Sequence, residues 1–377
     1  MEVVVTGIGL ISCLGSLRKT WEQLLAGKSG IKLQQPFREL PARPLGLIAS
    51  QPASLSPLTQ TIVAAALKDA QLQPPLPDCG VVIGSSRGCQ GDWERLSALS
   101  QVNLSNYQFP MPNQAALLAA SQVGTKNIVL APMAACATGI WSIFQGYQLI
   151  KTGQCERVIA GAVEVPVTPL TLAGFARMGA LAKTGCYPFD QQREGLVLGE
   201  GGAVLVLESA TVARKRQARI YGQLQGFGLT TDAYHVSAPN PNRDMAIKAI
   251  EQCLERSHLN PTDIDYIHTH GTSTRLNDSH EAALIKYLFP QAPPVSSTKG
   301  ATGHTLGASG ALGTAFCLMA LKHQLLPPCV GLQESDFDLN LVRKTRLAKV
   351  KQVICFSFGF GGQNAVLAIK KLDSYQF

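Results

Sequence analysis

The sequence predicts an α/β fold made of two similar layered halves. Three observations lead there: segments rich in β-branched residues alternate with helical patterns along the chain; 377 residues exceed what one simple core holds; and a glycine-rich corner occurs near each end, as "TGIGLISCLG" and "SFGFGGQN". In order, the strand segments are "EVVVTGI", "GVVIGSS", "NIVLAPM", "RVIAGAVE", "GAVLVLES", "IDYIHTH", "QVICFSF" and "AVLAIKK". Their largely apolar character is that of strands covered on both faces. The second half starts again at "IYGQLQGFG", which sets the domains at residues 1–210 and 211–377, divided near the charged stretch "TVARKRQAR". Between strands, Ile140, Ile143, Phe144, Tyr147 and Ile150 recur at helical spacing, and "ALGTAFCLMALKH" reads as an apolar helix behind a loop of small residues.

Composition narrows the class. With 46% hydrophobic and 15% charged residues the chain can bury a sizeable core, whereas disorder needs the opposite balance. The longest apolar run, Ala308 to Leu321, is too short and too glycine-broken to span a bilayer. The first residues read as a strand rather than a leader, so a cytoplasmic protein is expected. Ten cysteines without a CxxC pair argue for reduced thiols rather than a disulfide framework or zinc knuckle. The net charge of +8 and the cluster "ARKRQAR" permit an acidic partner or a solvated helix face, but no aromatics interleave the charges as on a nucleic-acid surface.

Cys136 stands where an apolar strand gives way to small residues and then to the helical pattern, which places it at or just before a helix N-terminus. Burial alone explains most free cysteines. In this position, however, free amides and the positive end of the helix dipole favour thiolate over thiol, and the same amides can hold an oxyanion. Two histidines lie in unusual settings for partners: His270 ends "YIHTH" and opens a turn of glycine and threonines, and His304 sits in "SSTKGATGHTLGASG". His268, His270, Asp278 and His280 offer a rival metal reading, without strong metal spacing such as HExxH. "GIGLIS" and "GATGHT" are incomplete as nucleotide loops, the first lacking a glycine and the second the lysine.

Together, "ACATGI", "PFDQQREGLVLGEGGAVLVLES", "TTDAYHVSAPNPN", "HGTSTRLNDSHE", "SSTKGATGHTLGASG" and "CFSFGFGGQN" resemble, in order, the signatures of the elongating β-ketoacyl-[acyl-carrier-protein] synthases. The resemblance implies a thiolase-like fold, two pseudo-repeated βαβαβαββ halves in a five-layered α/β/α/β/α sandwich, usually a homodimer. It implies that Cys136 carries the acyl chain as a thioester, that His270 and His304 line the same pocket, and that Lys299 pairs with Glu281 to hold the histidine loops. Phe360 matches a gate whose amide joins that of Cys136 in an oxyanion hole. Thr272 and Thr274 match threonines that bind phosphopantetheine, and Phe175 and Phe358 fall with the substrate-binding positions. The implied partners are acyl carrier protein with acyl and malonyl thioesters, with no metal, no further cofactor and no nucleic acid. A non-condensing chain-length-factor-like partner, or a synthase of a specialised polyketide or lipid pathway, is the alternative. The sequence departs from the family pattern in a shortened region between about residues 34 and 129, in Ala134, in the bulky Trp141 and in His268 and Thr269 before the first histidine.

Overall fold

A computed structural model describes residues 1–98 and 110–372. Residues 99–109, inside the shortened region, lie outside the described residues. The first half runs β1 (Val3–Ser12), α1 (Leu55–Asp69), β2 (Gly80–Gly84), α2 (Gln114–Val123), β3 (Val129–Leu130), α3 (Thr138–Lys151), β4 (Arg157–Glu164) and β5 (Gly201–Ser209). The second runs β6 (Gly222–Thr231), α4 (Asp244–Ser257), β7 (Tyr266–His268), α5 (Arg275–Leu288), β8 (Val295–Ser296), α6 (Ser309–His323), β9 (Gln352–Gly359) and β10 (Gln363–Lys370). Each series reads βαβαβαββ, and short additional elements fill the connections.

The strands pair in the order β8-β7-β9-β10-β6-β1-β5-β4-β2-β3. Each half has the same pattern: β2 lies parallel between β3 and β4, as β7 does between β8 and β9, and the last two strands of each half pair antiparallel. The halves meet where Val3–Val5 of β1 pair antiparallel with Gly222–Leu224 of β6, so hydrogen bonding is continuous from one half to the other. α3 and α6 are sandwiched between the halves in the largest core, which mixes Ile140, Ile143 and Leu205 with Phe227, Phe316 and Leu367. Separate outer cores cover the opposite faces, one under α1 and α2, the other under α4 and α5. These are the five layers of the sandwich.

Glycine decides how closely the outer helices sit. A Cβ on Gly9 would stand 2.0 Å from the carbonyl oxygen of Ile62 on α1, and one on Gly228 1.6 Å from that of Ala249 on α4. The partner of "TGIG" in the second half is therefore Gly226–Gly228, not the "SFGFGGQN" corner that the sequence suggested. β6 itself escapes the strand segments named above because its three glycines interrupt the β-branched pattern.

The cysteines are free thiols throughout the described residues. Much of "ARKRQAR" is spent on internal ion pairs: Arg216 Nη2 meets Glu208 at 2.5 Å and Arg219 Nη2 meets Asp69 at 2.5 Å. No helix among the described residues is long and apolar enough to cross a membrane.

Candidate active site

The two sandwiched helices meet at their N-terminal ends, which puts loops from both halves at one place. Gly139 and Gly310 permit the approach: a Cβ on the first would be 2.4 Å from the amide nitrogen of Ala311, and on the second 3.0 Å from that of Ile140. Cys136 lies two residues before α3, after Ala135 at φ +47°, and is 7% exposed. Ser357 on β9 donates to its carbonyl oxygen at 2.9 Å. Gly359 lies against the same turn, where a Cβ would come within 3.0 Å of the Cys136 amide nitrogen. Phe360 follows Gly359 and borders the same cleft as Cys136.

His270 is two residues past the end of β7 rather than its last residue, as the sequence placed it, and its backbone is held from both sides. Glu281 on α5 accepts from the amide of His270 at 2.6 Å and from that of Gly271 at 2.7 Å, while Lys299 donates to the His270 carbonyl oxygen. The Lys299 ammonium also stands 3.5 Å from His270 Nδ1. The expected Lys299–Glu281 pair is therefore indirect: no ion pair within 4.0 Å joins them, and they grip opposite edges of one peptide segment. His304 follows the one-turn helix Lys299–Thr302, and its Nδ1 lies 2.8 Å from the hydroxyl of Ser309, the first residue of α6. The two imidazole centroids are 5.2 Å apart at 81°.

Electrostatics follow from burial. It pushes the Cys136 thiol up to about 11, against the opposing pull of Lys299, Arg87 and the Phe360 amide. Burial, then the positive charge of Lys299, holds both His270 and His304 well below the usual imidazole range. Both rings are neutral at pH 7. An ammonium has no lone pair, so the His270 nitrogen facing Lys299 is the bare one and its proton sits on Nε2. Burial also pushes Glu281 up to about 7 and Lys299 down; two short main-chain donors still favour the carboxylate.

Cys136, His270 and His304 border one cleft of ≈ 710 Å³, together with Phe175, Phe358, Phe360, Thr272 and Thr274. Every residue singled out in the sequence for substrate contact thus reaches this cleft. Thr272 and Thr274 share a hydroxyl contact of 2.9 Å, and Thr274 also caps α5 by accepting from Asn277 N. A second cavity opens on the other side of Cys136, and the Phe175 and Phe360 rings, stacked 5.8 Å apart, border both spaces. Sequence reasoning gave no role to Ser309, five residues after His304, or to Ser357, whose contact with Cys136 forms only once distant segments meet; His280, named there as a metal candidate, borders the cleft instead. The rival metal reading fails on geometry: His268 turns to Thr298 and Cys355, away from His270, and Asp278 accepts from the amides of Phe189 and Ser273. Among the described residues, no group of three or more His, Cys, Asp or Glu is arranged to hold a metal.

A buried thiol just before a helix start shares one cleft with two neutral imidazoles, an arrangement whose chemistry suits thiol acyl transfer. Residues 49–213 match the N-terminal domain of beta-ketoacyl synthases and residues 221–333 the C-terminal domain, so the chain belongs to the β-ketoacyl synthase family. It is 33% identical over 410 residues to 3-oxoacyl-[acyl-carrier-protein] synthase 2 of Staphylococcus aureus, with 99% of each chain covered. Among solved structures, the ishigamide ketosynthase/chain length factor superposes with a TM-score of 0.92 at 27% identity, covering 99% of both chains. A beta-ketoacyl synthase from Burkholderia phymatum STM815 gives 0.89 at 27% identity, covering 99% of this chain and all of the other. A type II polyketide ketosynthase in complex with its acyl-carrier protein gives 0.90 at 26% identity, with 99% of each covered.

Proposed function

We propose that this chain performs a decarboxylative Claisen condensation, extending an acyl group held on Cys136 with malonyl-carrier protein to release a 3-oxoacyl thioester. The observation that carries the reading is the convergence of Cys136 with two neutral imidazoles on one cleft.

In the first half-reaction the sulfur of Cys136 attacks the acyl thioester, and the proton of its thiol leaves with the departing pantetheine thiol. The main-chain N–H groups of Cys136 and Phe360 face the oxyanion. In the second, loss of carbon dioxide from the malonyl group leaves an enolate. His270 and His304, with protons on Nε2, donate to its oxygen; being neutral, they carry no acidic proton to quench the carbanion. The enolate carbon forms the new bond to the acyl carbon, and Cys136 departs as thiolate. A group pushed up to about 11 takes a proton from solvent and returns to the resting thiol. Phosphopantetheine on an acyl carrier protein supplies both substrates, Thr272 and Thr274 contact that arm, and the reaction's own chemistry calls for no other cofactor. The N-terminal residues 1–210 supply the nucleophile and residues 211–377 the two histidines and Lys299. A homodimer in the cytoplasm completes the reading.

Intact-mass analysis after mixing with acyl-carrier protein tests it. An acyl adduct mapped to Cys136 is expected; acyl transfer that persists in Cys136→Ala would refute it.

A further inference from the structure

We propose that the cavity beyond Phe360 seats an acyl chain bearing an oxygen acceptor, a carboxylate or a keto group, which the guanidinium of Arg87 binds. The inference deepens the condensing reading and rests on it.

The space beyond the stacked rings, ≈ 870 Å³ with its open mouth, is bordered by Cys136 itself, by Phe175, Leu306 and Phe360, and by three polar residues, Ser86, Arg87 and Gln363. It is where a group attached to the Cys136 sulfur can extend away from the cleft that the pantetheine arm occupies. Arg87 is not a stray surface residue. The turn Ser85–Arg87 wraps the buried carboxylate of Glu164, which accepts from Ser85 Oγ at 2.7 Å, from the amide of Ser86 at 2.7 Å and from that of Arg87 at 3.0 Å. With Ser86 Oγ donating at 2.6 Å and the Gly307 amide at 3.1 Å as well, that carboxylate is saturated without the Arg87 side chain. The Arg87 side chain leaves this fixed base and lays its guanidinium over the Phe175 ring, 5.6 Å from the centroid. Among the described residues, no carboxylate lies within ion-pair distance of it and none of its side-chain N–H groups donates to another residue.

A saturated hydrocarbon chain entering this cavity would displace water from a half-buried cation and give nothing back. A chain carrying a carboxylate or a ketone would return a charge-assisted hydrogen bond with planar, directional geometry. Sites built around such a donor discriminate strongly against the analogue lacking its partner, far more than an apolar pocket discriminates by size. The Arg87 charge acts on the sulfur as well, being one of the groups that favour the Cys136 thiolate.

The test compares three carrier-protein thioesters of equal chain length: octanoyl, 3-oxo-octanoyl and the half-thioester of suberic acid. Acylation of Cys136 is followed by intact mass in the wild type, Arg87→Ile and Arg87→Lys. In the wild type, at least one oxygen-bearing primer is expected to load about tenfold or more faster than octanoyl; which of the two does so separates keto from carboxylate recognition. Arg87→Ile is expected to reverse the order, with octanoyl loading faster than in the wild type, which also shows that the variant is folded. Arg87→Lys is expected to retain part of a carboxylate preference and lose a keto preference. Octanoyl loading as fast as both oxygen-bearing primers in the wild type would overturn the inference while leaving the condensing reading intact. No adduct from any of the three would overturn both.

Discussion

Lys299 grips the carbonyl oxygen of His270 and at the same time stands 3.5 Å from Nδ1 of its ring. One ammonium thus fixes the turn, selects the tautomer and keeps the imidazole uncharged.

The sign of its effect on pH dependence is definite. Positive charge beside an imidazole disfavours protonation, and both His270 and His304 feel Lys299 after burial. The acid limb of the condensation rate is therefore expected below the ordinary histidine value of about 6.5. In Lys299→Met both imidazole values rise, so the acid limb moves up toward that figure and the rate falls at every pH because the tautomer is no longer selected. The rate–pH profile and NMR titration of the ring protons check this; an acid limb that stays put in the variant would remove Lys299 from that role.

Ser309 tests the geometry around the second ring. Its hydroxyl is the contact that orients His304 through Nδ1. Ser309→Ala should slow malonyl decarboxylation about fivefold, the ~1 kcal/mol of one neutral hydrogen bond, with acylation of Cys136 unchanged. Separate measurement of carbon dioxide release and of the acyl adduct distinguishes the two steps.

Packing of the outer helices gives a pair of opposed expectations. Gly228→Ala drives a methyl into the Ala249 carbonyl and should cost about 3 kcal/mol or more, or prevent folding. Gly174, inside the helix Pro169–Arg177, has nothing within 4 Å of an added Cβ, so Gly174→Ala should stabilise by about 0.5–1 kcal/mol. Denaturant titration of both variants measures the difference.

Glu208 makes stability depend on acid. Burial opposes its charge, but Arg216, Thr6 and Arg157 outweigh burial and lower its value below the ordinary 4.5. A lowered carboxylate stabilises the fold above its unfolded value and loses that contribution as pH falls through the folded one. Glu208→Gln is expected to cost about 3 kcal/mol near pH 7, because two arginines lose their partner, and progressively less below about pH 4.5. Urea midpoints across that range follow the convergence of the two proteins.

How far the sequence carried depends on what each signal measures. β4 was legible residue for residue, since Arg157–Glu164 is buried in all but its first residue and has no glycine pair to break it. "NIVLAPM" promised as much and forms only the two-residue β3, because Pro132 and the small residues after it begin the turn into the nucleophile. Cys136 was legible from its position before the pattern of α3. The partnership of Lys299 and Glu281 was legible only as a pairing of charges; that each bonds backbone, not the other, depends on the turn at Gly271, whose φ of +41° no spacing rule supplies. Arg87 was missed because its neighbours Phe175 and Phe360 are distant in the chain and the turn that aims it is anchored by Glu164, which reads as one more strand-end carboxylate.

The clamp around His270 closes mostly on peptide groups, and the imidazole adds to it only the Nδ1 contact with Lys299. The loop is thereby held chiefly by groups that any residue at that position would carry. Replacements close to imidazole in size are therefore expected to keep the loop in place, which makes position 270 a site where the chemistry can be varied on a constant framework.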